Sequence, residues 1–330
     1  MTPFPERFSG EVMRVMAYSL IFPGQGSQEA GMGKDFYDAF SSAREIFLRA
    51  DQALGFSLSD IIFNGPEEEL RRTAFTQPAI LTVSTAILEC LKKEAGINPA
   101  PLSLAGHSLG EYTALVASGV LSLEDGVRLV HLRGRLMQEA VPEGEGAMAA
   151  ILGLDQESVS AVCSAAAPGG ECQPANFNSP GQVVISGNTA FVHTAMEKAK
   201  EAGAKKTVLL NVSAPFHSRQ MRPVADQLRE AFGSLMWNEP SVAIISNALA
   251  RPVRSVAEIQ QALFDQTFMP VLWHDSVIRM AEDGVDTFFE IGPGSVLTGL
   301  VKKCRKGVTA QTCSSVQEFE ALSTKLKEMV

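Results

Sequence analysis

Short apolar runs alternate with amphipathic stretches along the chain from residue 18 to its end. Apolar runs of about five residues predict buried strands, and apolar positions that recur every three or four residues predict helices. In the first half, the pattern predicts strands at 18–22 and 101–106 and helices at 41–54, 78–95, 109–119 and 123–140. Strands that alternate with helices favour a mostly parallel sheet covered by helices.

Residues 142–146, which contain a proline and two glycines, interrupt this pattern. The next elements have the order β-α-β-β-α-β of a ferredoxin-like unit. They are predicted at 147–152, 156–166, 171–176, 183–186, 189–202 and 206–211. The larger arrangement resumes with predicted elements at 220–232 (helix), 242–246 (strand), 271–283 (helix) and 286–290 (strand). We therefore predict that residues 144–212 form a small domain inserted into a large α/β domain made of residues 17–143 and 213–330.

The composition is that of a globular protein, with 45% hydrophobic and 20% charged residues among 330. This length suffices for two cores, or for one large core with an insertion. No apolar run approaches the roughly 20 residues that cross a bilayer, so no membrane segment is expected. Residues 1–16 lack the apolar block of a secretory signal and are predicted to be a disordered extension.

Charge and cysteine content exclude several classes of function. The formal net charge of −9 argues against nucleic acid as the main partner, although a local basic patch remains compatible with it. The five cysteines are an odd number without C-x-x-C spacing, which fits a reducing cytoplasm rather than a disulfide framework. The five histidines are scattered along the chain, and we predict no metal site.

The first candidate for chemistry is Gly106–Gly110, which has the sequence Gly-His-Ser-Leu-Gly. It follows the apolar run 101–105 and precedes a predicted helix, which is the pattern of a nucleophile elbow. Flanking glycines suit the sharp turn, and a serine at the start of a helix lies near N–H groups that can bind an oxyanion. The same five residues also fit a strand-to-helix turn without chemistry.

A second motif, Phe22–Gln28, follows the first predicted strand and has the sequence Phe-Pro-Gly-Gln-Gly-Ser-Gln. A glycine-rich turn at this point allows the backbone to approach a ligand closely. The motif lacks the lysine of a phosphate-binding P-loop and does not match G-x-G-x-x-G. It is therefore a candidate binding loop of another kind.

Taken together, the two motifs resemble the acyltransferase family of fatty acid and polyketide synthesis, in particular its malonyl-transferring members. The resemblance extends over residues 17–302. Further matching segments occur in the same order at 132–137, 176–182, 215–217, 266–273 and 290–297. The resemblance implies a large α/β-hydrolase-like domain with a mostly parallel sheet and an inserted small ferredoxin-like α+β domain.

The resemblance also implies a set of catalytic roles. Ser108 would be the nucleophile that carries the acyl group as an ester, and His217 would be the base that a weakly acidic hydroxyl needs. The backbone carbonyl of Gln266 would orient the imidazole, a task that other enzymes give to a carboxylate. The backbone N–H groups of Gln25 and Leu109 would form the oxyanion hole.

Substrate selection would depend on Arg133, whose guanidinium would pair with the free carboxylate of a malonyl group. Phe216 stands where bacterial stand-alone members commonly have serine. Its ring would crowd the α-carbon and disfavour a branching methyl group, but simple packing is an equal alternative. The other substrate-binding residues implied by the family are Met137, His107 and Asn178.

The implied partners are an acyl carrier protein and a coenzyme A thioester, with no cofactor, no membrane and no nucleic acid. Both partners are acidic, so a basic docking surface is needed despite the net charge. Lys205 and Lys206 match the position of a basic pair in the family, and Arg219 and Arg222 follow His217 closely. A cytoplasmic monomer is expected.

Several functions remain open at this point. The first is malonyl transfer from coenzyme A to acyl carrier protein for fatty acid synthesis, by ping-pong kinetics. A trans-acting acyltransferase of a polyketide or polyunsaturated fatty acid synthase would share the same residues. In a serine hydrolase or thioesterase of the α/β-hydrolase type, the catalytic histidine is expected near the end of the chain, whereas more than 100 residues follow His217. A catalytically silent carrier-binding module fits poorly with an intact set of Ser108, His217 and Arg133.

Overall fold

The computed structural model describes residues 17–142, 144–212 and 214–329, so the predicted extension at 1–16 lies outside the described residues. The strands are β1 (Tyr18–Phe22), β2 (Ser103–Gly106), β3 (Gly146–Leu152), β4 (Cys172–Ser179), β5 (Gln182–Asn188), β6 (Lys206–Leu209), β7 (Ile244–Ile245), β8 (Pro252–Val253), β9 (Thr287–Ile291) and β10 (Thr309–Cys313). The α-helices are α1 (Lys34–Ala39), α2 (Ser41–Leu54), α3 (Leu58–Asn64), α4 (Glu67–Leu70), α5 (Thr73–Lys93), α6 (Leu109–Ala117), α7 (Leu123–Glu139), α8 (Gln156–Ala166), α9 (Thr189–Glu201), α10 (Arg222–Phe232), α11 (Val256–Phe268), α12 (Trp273–Glu282), α13 (Val296–Cys304) and α14 (Val316–Met329).

The large sheet has the strand order β10-β9-β1-β2-β7-β8. All its pairings are parallel except the last, in which β8 runs antiparallel to β7. Strands β1, β2 and β9 are buried along their whole length, as expected when helices cover both faces of a parallel sheet. This confirms the mostly parallel α/β architecture that the alternating pattern predicted.

The small sheet has the order β4-β5-β3-β6 and is antiparallel throughout. Alternate residues of β3, such as Ala149 and Ile151, pack with α8 and α9 in a separate core. The intervening Met148 faces the core of the large domain together with Val184 of β5. Because β3 is buried on both faces, its sequence is a continuous apolar run. The order and strand directions confirm the predicted ferredoxin-like unit.

Backbone hydrogen bonds tie the small sheet to the large domain beside the site described below. The N–H of Phe177 in β4 donates to the carbonyl of Val271 over 2.9 Å, and the N–H of Val271 donates to the carbonyl of Ala175 over 2.8 Å. Such paired backbone bonds hold the small domain against the segment before α12 in a defined register.

Helix α5 begins five residues earlier than the predicted 78–95 and contains Pro78 in its interior. A proline there cannot donate to the carbonyl four residues before it, which is that of Ala74. The ring Nδ1 of His131 donates to that carbonyl instead, over 2.8 Å. A tertiary contact therefore satisfies the group, and the local sequence pattern placed the helix start too late. In length and composition α5 could span a membrane, but 83% of its apolar 18-residue stretch is buried inside the molecule.

The strand predicted at 242–246 is only two residues long. Beyond Ile245 the chain turns back as a hairpin into β8, and the N–H of Ser246 donates to the carbonyl of Arg251 over 3.1 Å at the start of this turn. The carboxyl ends of β1, β2 and β7 then lie side by side at one edge of the parallel sheet. This edge is where parallel α/β folds bind their ligands.

Candidate active site

Ser108 lies in a strained turn between β2 and α6, with φ 53° and ψ −102°. Non-glycine residues rarely adopt such a conformation, which persists only where the surroundings enforce it. A Cβ atom on Gly106 would collide with the backbone of Gly110, and one on Gly110 would collide with the carbonyl of Phe22. The glycine spacing is therefore required by the close packing of the first turn of α6 against β1 and β2.

His217 connects the candidate nucleophile to the other half of the large domain. Its Nε2 lies 2.7 Å from Ser108 Oγ, and its Nδ1 lies 2.7 Å from the carbonyl oxygen of Gln266. Because a carbonyl can only accept, Nδ1 carries the proton and Nε2 is free to accept the serine hydroxyl proton. Burial, followed by the charge of Arg133, lowers the pKa of His217 to about 3. The imidazole is thus held in the form that can act as a base.

We expect the imidazole of His217 to stay uncharged from about pH 8 to about pH 5, a range in which an exposed histidine gains a proton. The sign follows from its pKa, which burial lowers from 6.5 to about 3, so protonation begins only in strong acid. The measurement is a pH titration of the imidazole nitrogen resonances of ¹⁵N-histidine-labelled protein, with His217→Gln to assign them. A midpoint near pH 6.5 would contradict the expectation.

Arg133 of α7 is buried, with 1% of its surface exposed. Its Nη1 donates to Gln77 Oε1 over 2.9 Å, and its Nη2 donates to Gln266 Oε1 over 3.0 Å and to Ser108 Oγ over 3.1 Å. Its guanidinium carbon also lies 5.1 Å from the centre of the Tyr112 ring. All its hydrogen-bond acceptors are uncharged. A buried cation with this environment at a serine hydroxyl fits an anionic ligand.

Two backbone N–H groups beside Ser108 are candidates for an oxyanion hole. Leu109 is the first residue of α6, where N–H groups have no partner within the helix. Gln25 lies in the glycine-rich turn, which the N–H of Gly26 braces by donating to Gln28 Oε1 over 2.7 Å. Within the described residues neither the N–H of Leu109 nor that of Gln25 makes a hydrogen bond to the protein. Both are therefore available to a ligand.

A cavity of about 110 Å³ connects these groups. The predicted residues that line it are Gln25, His107, Ser108, Leu109, Arg133, Met137, Phe216 and His217. The unpredicted residues that line it are Gln77, Met148, Asn176, Leu210 and Val212. The cavity therefore lies between the large domain and the small one, with apolar walls around a few polar groups.

Asn178 does not line this cavity, although it was predicted to bind substrate. Its Oδ1 accepts a hydrogen bond from His107 Nε2 over 2.8 Å, across the boundary between the domains. Burial lowers the pKa of His107, which keeps this ring neutral. The structure thus places Asn178 behind His107, as a support for a cavity wall.

The predicted docking residues lie on the surface, away from the cavity. Lys205 and Lys206 are exposed at the beginning of β6, whereas the chain just beyond the other end of that strand reaches the cavity through Leu210. Arg219 is exposed, and Arg222 lies over the rings of two phenylalanines of α11. The geometry therefore brings none of the four side chains to the reacting groups.

Four polar residues of the site have no counterpart among the predictions: Gln77, Glu111, Asn176 and Asn247. Asn247 Oδ1 accepts the N–H of Ser108 over 2.7 Å, and Glu111 Oε2 accepts from Gln266 Nε2 over 2.9 Å. Burial raises the pKa of Glu111 to about 7. Its place in the first turn after the elbow, as the one charged residue of α6, is the signal in the sequence that could have indicated Glu111.

These features define a class of protein. A serine in an elbow, a histidine oriented by a carbonyl and two N–H groups without protein partners among the described residues are the arrangement that acyl transfer through a serine ester requires. Among the described residues, no group of three or more His, Cys, Asp or Glu side chains could hold a metal ion. Residues 19–322 match the family model for the acyl transferase domain. The chain belongs to the acyl transferase family, and it is an acyltransferase.

Known proteins similar to this chain are malonyl CoA-acyl carrier protein transacylases. The one from Bacillus subtilis (strain 168) is 46% identical over 94% of this chain and 97% of its own length. The one from Escherichia coli (strain K12) is 44% identical over 94% of this chain and 99% of its own length. Both relatives therefore match almost from end to end.

Solved structures agree with this assignment. The crystal structure of an acyl-carrier-protein-S-malonyltransferase from Bartonella henselae has a TM-score of 0.92 at 44% identity, and covers 94% of this chain and 100% of its own. A malonyl-transacylase in complex with its type II polyketide synthase acyl carrier protein has a TM-score of 0.91 at 42% identity, and covers 94% of this chain and 99% of its own.

Proposed function

We propose that this protein transfers a malonyl group from malonyl-CoA to the phosphopantetheine thiol of an acyl carrier protein, through an ester on Ser108. The observation that carries the proposal is the 3.1 Å distance between Arg133 Nη2 and Ser108 Oγ. A single methylene separates the thioester carbonyl of a malonyl group from its free carboxylate. The cation that binds the carboxylate must therefore lie within a few ångströms of the nucleophile, and Arg133 does.

In the first half-reaction, His217 Nε2 takes the hydroxyl proton while Ser108 Oγ attacks the thioester carbonyl. The oxyanion that forms is held by the N–H groups of Gln25 and Leu109. Collapse of this intermediate breaks the carbon–sulfur bond, and the departing thiolate takes the proton from His217. In the second half-reaction, the carrier thiol gives its proton to His217 and attacks the ester, and Ser108 leaves with that proton. Neither step needs a cofactor.

The partner of the imidazole suits a transferase. A carboxylate at the place of the Gln266 carbonyl would stabilise the imidazolium and strengthen the base. With a neutral carbonyl, His217 serves a thiol, which is readily deprotonated, better than it serves water. We infer that this arrangement favours transfer of the malonyl group over its hydrolysis.

The volumes beside Ser108 fit a short acyl group on a long arm. The cavity of about 110 Å³ is smaller than the roughly 300–1,000 Å³ of common ligand pockets. A groove of about 550 Å³ adjoins it, and Gln25 and Val212 line both. Arg71 and Arg72 also line the groove, where a coenzyme A phosphate or an acidic carrier protein could reach them. We place the pantetheine arm in this groove.

Phe216 supports the choice of malonyl over a branched acyl group. Its side chain is buried and lines the cavity together with those of Met137 and Leu210, with His217 as its neighbour in the chain. A methyl group on the α-carbon of the substrate would need space that these side chains occupy. We infer that methylmalonyl groups react more slowly than malonyl groups.

The proposed setting is a cytoplasmic monomer that meets its carrier protein by diffusion. The carrier protein as partner is supported by the similar transacylase that was solved in complex with one. The exposed pair Lys205 and Lys206 is proposed to attract this acidic partner, at a distance from the reacting groups. Their contribution would be to the rate of association, which added salt would screen.

The experiment that tests the proposed function is intact mass spectrometry of the protein after mixing with malonyl-CoA or acetyl-CoA, without carrier protein. We expect a persistent malonyl adduct on Ser108 and little acetyl adduct. Release of coenzyme A without a persistent adduct would favour a hydrolase instead. The absence of any reaction would contradict malonyl-CoA as the donor.

A second function, malonyl loading for a polyketide synthase, is favoured by one observation. One similar structure is a malonyl-transacylase bound to a type II polyketide synthase carrier protein. Because the groups around Ser108 would be the same, the choice of carrier protein separates the two functions. Transfer rates measured with a fatty acid carrier and a polyketide carrier from the same cell would decide between them.

A further inference from the structure

Both backbone polar groups of the strained Ser108 are held by side-chain amides from distant parts of the chain. The N–H of Ser108 donates to Asn247 Oδ1 over 2.7 Å, and the carbonyl of Ser108 accepts from Gln266 Nε2 over 2.8 Å. Asn247 Nδ2 also donates to the carbonyl of Gly106 over 2.7 Å. The elbow is thus fixed on both sides of the serine by two residues that do not line the cavity.

The carboxyl group of Glu111 connects these two residues. Glu111 Oε2 accepts the backbone N–H of Asn247 over 3.1 Å and the Nε2 of Gln266 over 2.9 Å. Glu111 is 2% exposed and lies one turn after Ser108 on α6. It also balances part of the charge of Arg133 without a direct hydrogen bond between them.

Gln266 also binds the candidate base, His217, and the candidate carboxylate-binding group, Arg133. Gln266 offers its backbone carbonyl to His217 and its side-chain Oε1 to Arg133 Nη2. A change in the position of the Gln266 side chain would therefore act on the nucleophile and the guanidinium, and a shift of the whole residue would also move the carbonyl that orients the imidazole. Glu111 is the acceptor that holds this side chain in place.

We propose that Glu111 is a positioning residue for acyl transfer, which acts through Asn247 and Gln266 to hold Ser108 in its reactive conformation. The inference rests on the proposed function only in assuming that Ser108 is the nucleophile. Misplacement of a reacting group by about 1 Å can cost 100-fold in rate. Loss of the carboxylate is therefore expected to slow the acylation of Ser108 rather than to weaken substrate binding.

The chain offers a matched control in Glu290, which is also a buried carboxylate. It accepts the N–H groups of Leu297 and Thr298 over 3.1 and 2.7 Å, and so caps the first turn of α13. It makes no hydrogen bond to any of the groups named at the site. Glu290→Gln therefore measures what loss of a buried, doubly bonded carboxylate does to stability alone.

The experiment compares Glu111→Gln, Asn247→Ala, their double variant and Glu290→Gln by thermal unfolding and by single-turnover acylation. Two reagents are used: malonyl-CoA, and a small sulfonyl fluoride that reacts with activated serines. We expect Glu111→Gln and Asn247→Ala each to slow acylation by both reagents by about 10- to 100-fold, with the half-saturating malonyl-CoA concentration little changed. Glu290→Gln should lower the melting temperature and leave both rates unchanged.

The double variant gives the sharper result. Since both residues act on Ser108 through connected hydrogen bonds, it should be little slower than the slower single variant. A double variant slowed by the product of the two single-variant factors would overturn the proposal. So would a Glu111→Gln protein that unfolds at a lower temperature but is acylated at the wild-type rate. If Glu111→Gln does not fold, an unchanged rate in Asn247→Ala would overturn it. A wild-type protein that reacts with the sulfonyl fluoride but not with malonyl-CoA would refute the proposed donor and leave this test intact.

Discussion

Replacing Ser108 with alanine is expected to abolish the covalent malonyl adduct and to slow malonyl transfer by about 10⁴-fold or more. The hydroxyl is the group that would carry the malonyl ester, and its Oγ lies within hydrogen-bond distance of both His217 and Arg133. With the hydroxyl absent, the base has no proton to remove and the two half-reactions have no common intermediate. Intact mass and steady-state transfer to carrier protein measure the two losses separately.

A matched control for this variant is Ser118→Ala. Ser118 is also buried and lies just after the end of the same helix, where its hydroxyl donates to the carbonyl of Leu115 over 3.0 Å. This variant should keep both the adduct and the transfer rate. An adduct that persists in Ser108→Ala at the wild-type level would remove Ser108 from the mechanism and direct attention to another nucleophile.

Replacing Arg133 with alanine should slow acylation by malonyl-CoA by roughly 30- to several-thousand-fold, which corresponds to about 2–5 kcal/mol for a desolvated charge pair. Acetyl-CoA has no carboxylate, so it should lose far less. Because Arg133 also donates to Gln77 and Gln266, we expect the variant to have a lower melting temperature as well. The ratio of the malonyl to the acetyl rate isolates the contribution of the carboxylate.

Two further variants refine this test. Arg133→Lys keeps the charge and loses the planar fork, so it should recover part of the malonyl rate. Arg135→Ala removes an exposed arginine two residues later on the same helix and should change neither rate. Equal losses with malonyl-CoA and acetyl-CoA in Arg133→Ala would mean that Arg133 supports the site and does not select the substrate.

The glycine-flanked serine shows how far local sequence reaches. The apolar run before Ser108 and the helical pattern after it predicted the strand, the turn and the helix, because these depend on neighbouring residues. The identity of the acyltransferase family depended on ordered motifs, and its assignment is confirmed by the match over residues 19–322. The roles given to His217, Gln266 and Arg133 came from the resemblance, and the geometry now supplies distances for them.

Predictions that depend on contacts between residues far apart in the sequence were less complete. Asn178 was expected to bind substrate, whereas its hydrogen bond to His107 places it behind the cavity wall. Helix α5 begins before Pro78 because the ring of His131 satisfies the carbonyl of Ala74. In both cases the deciding partner lies more than 50 residues away in the sequence. No periodic pattern contains such information.

By itself, the sequence determined the alternation of strands and helices, the inserted ferredoxin-like unit and the elbow at Ser108. Each follows from interactions between residues that are close along the chain. Only the tertiary structure decided that Glu111, Asn247 and Gln266 hold this elbow, and that Arg133 lies 3.1 Å from its hydroxyl. Asn247 and Gln266 are 139 and 158 residues from Ser108, a separation that is closed when the strands assemble into one sheet and their helices pack against it.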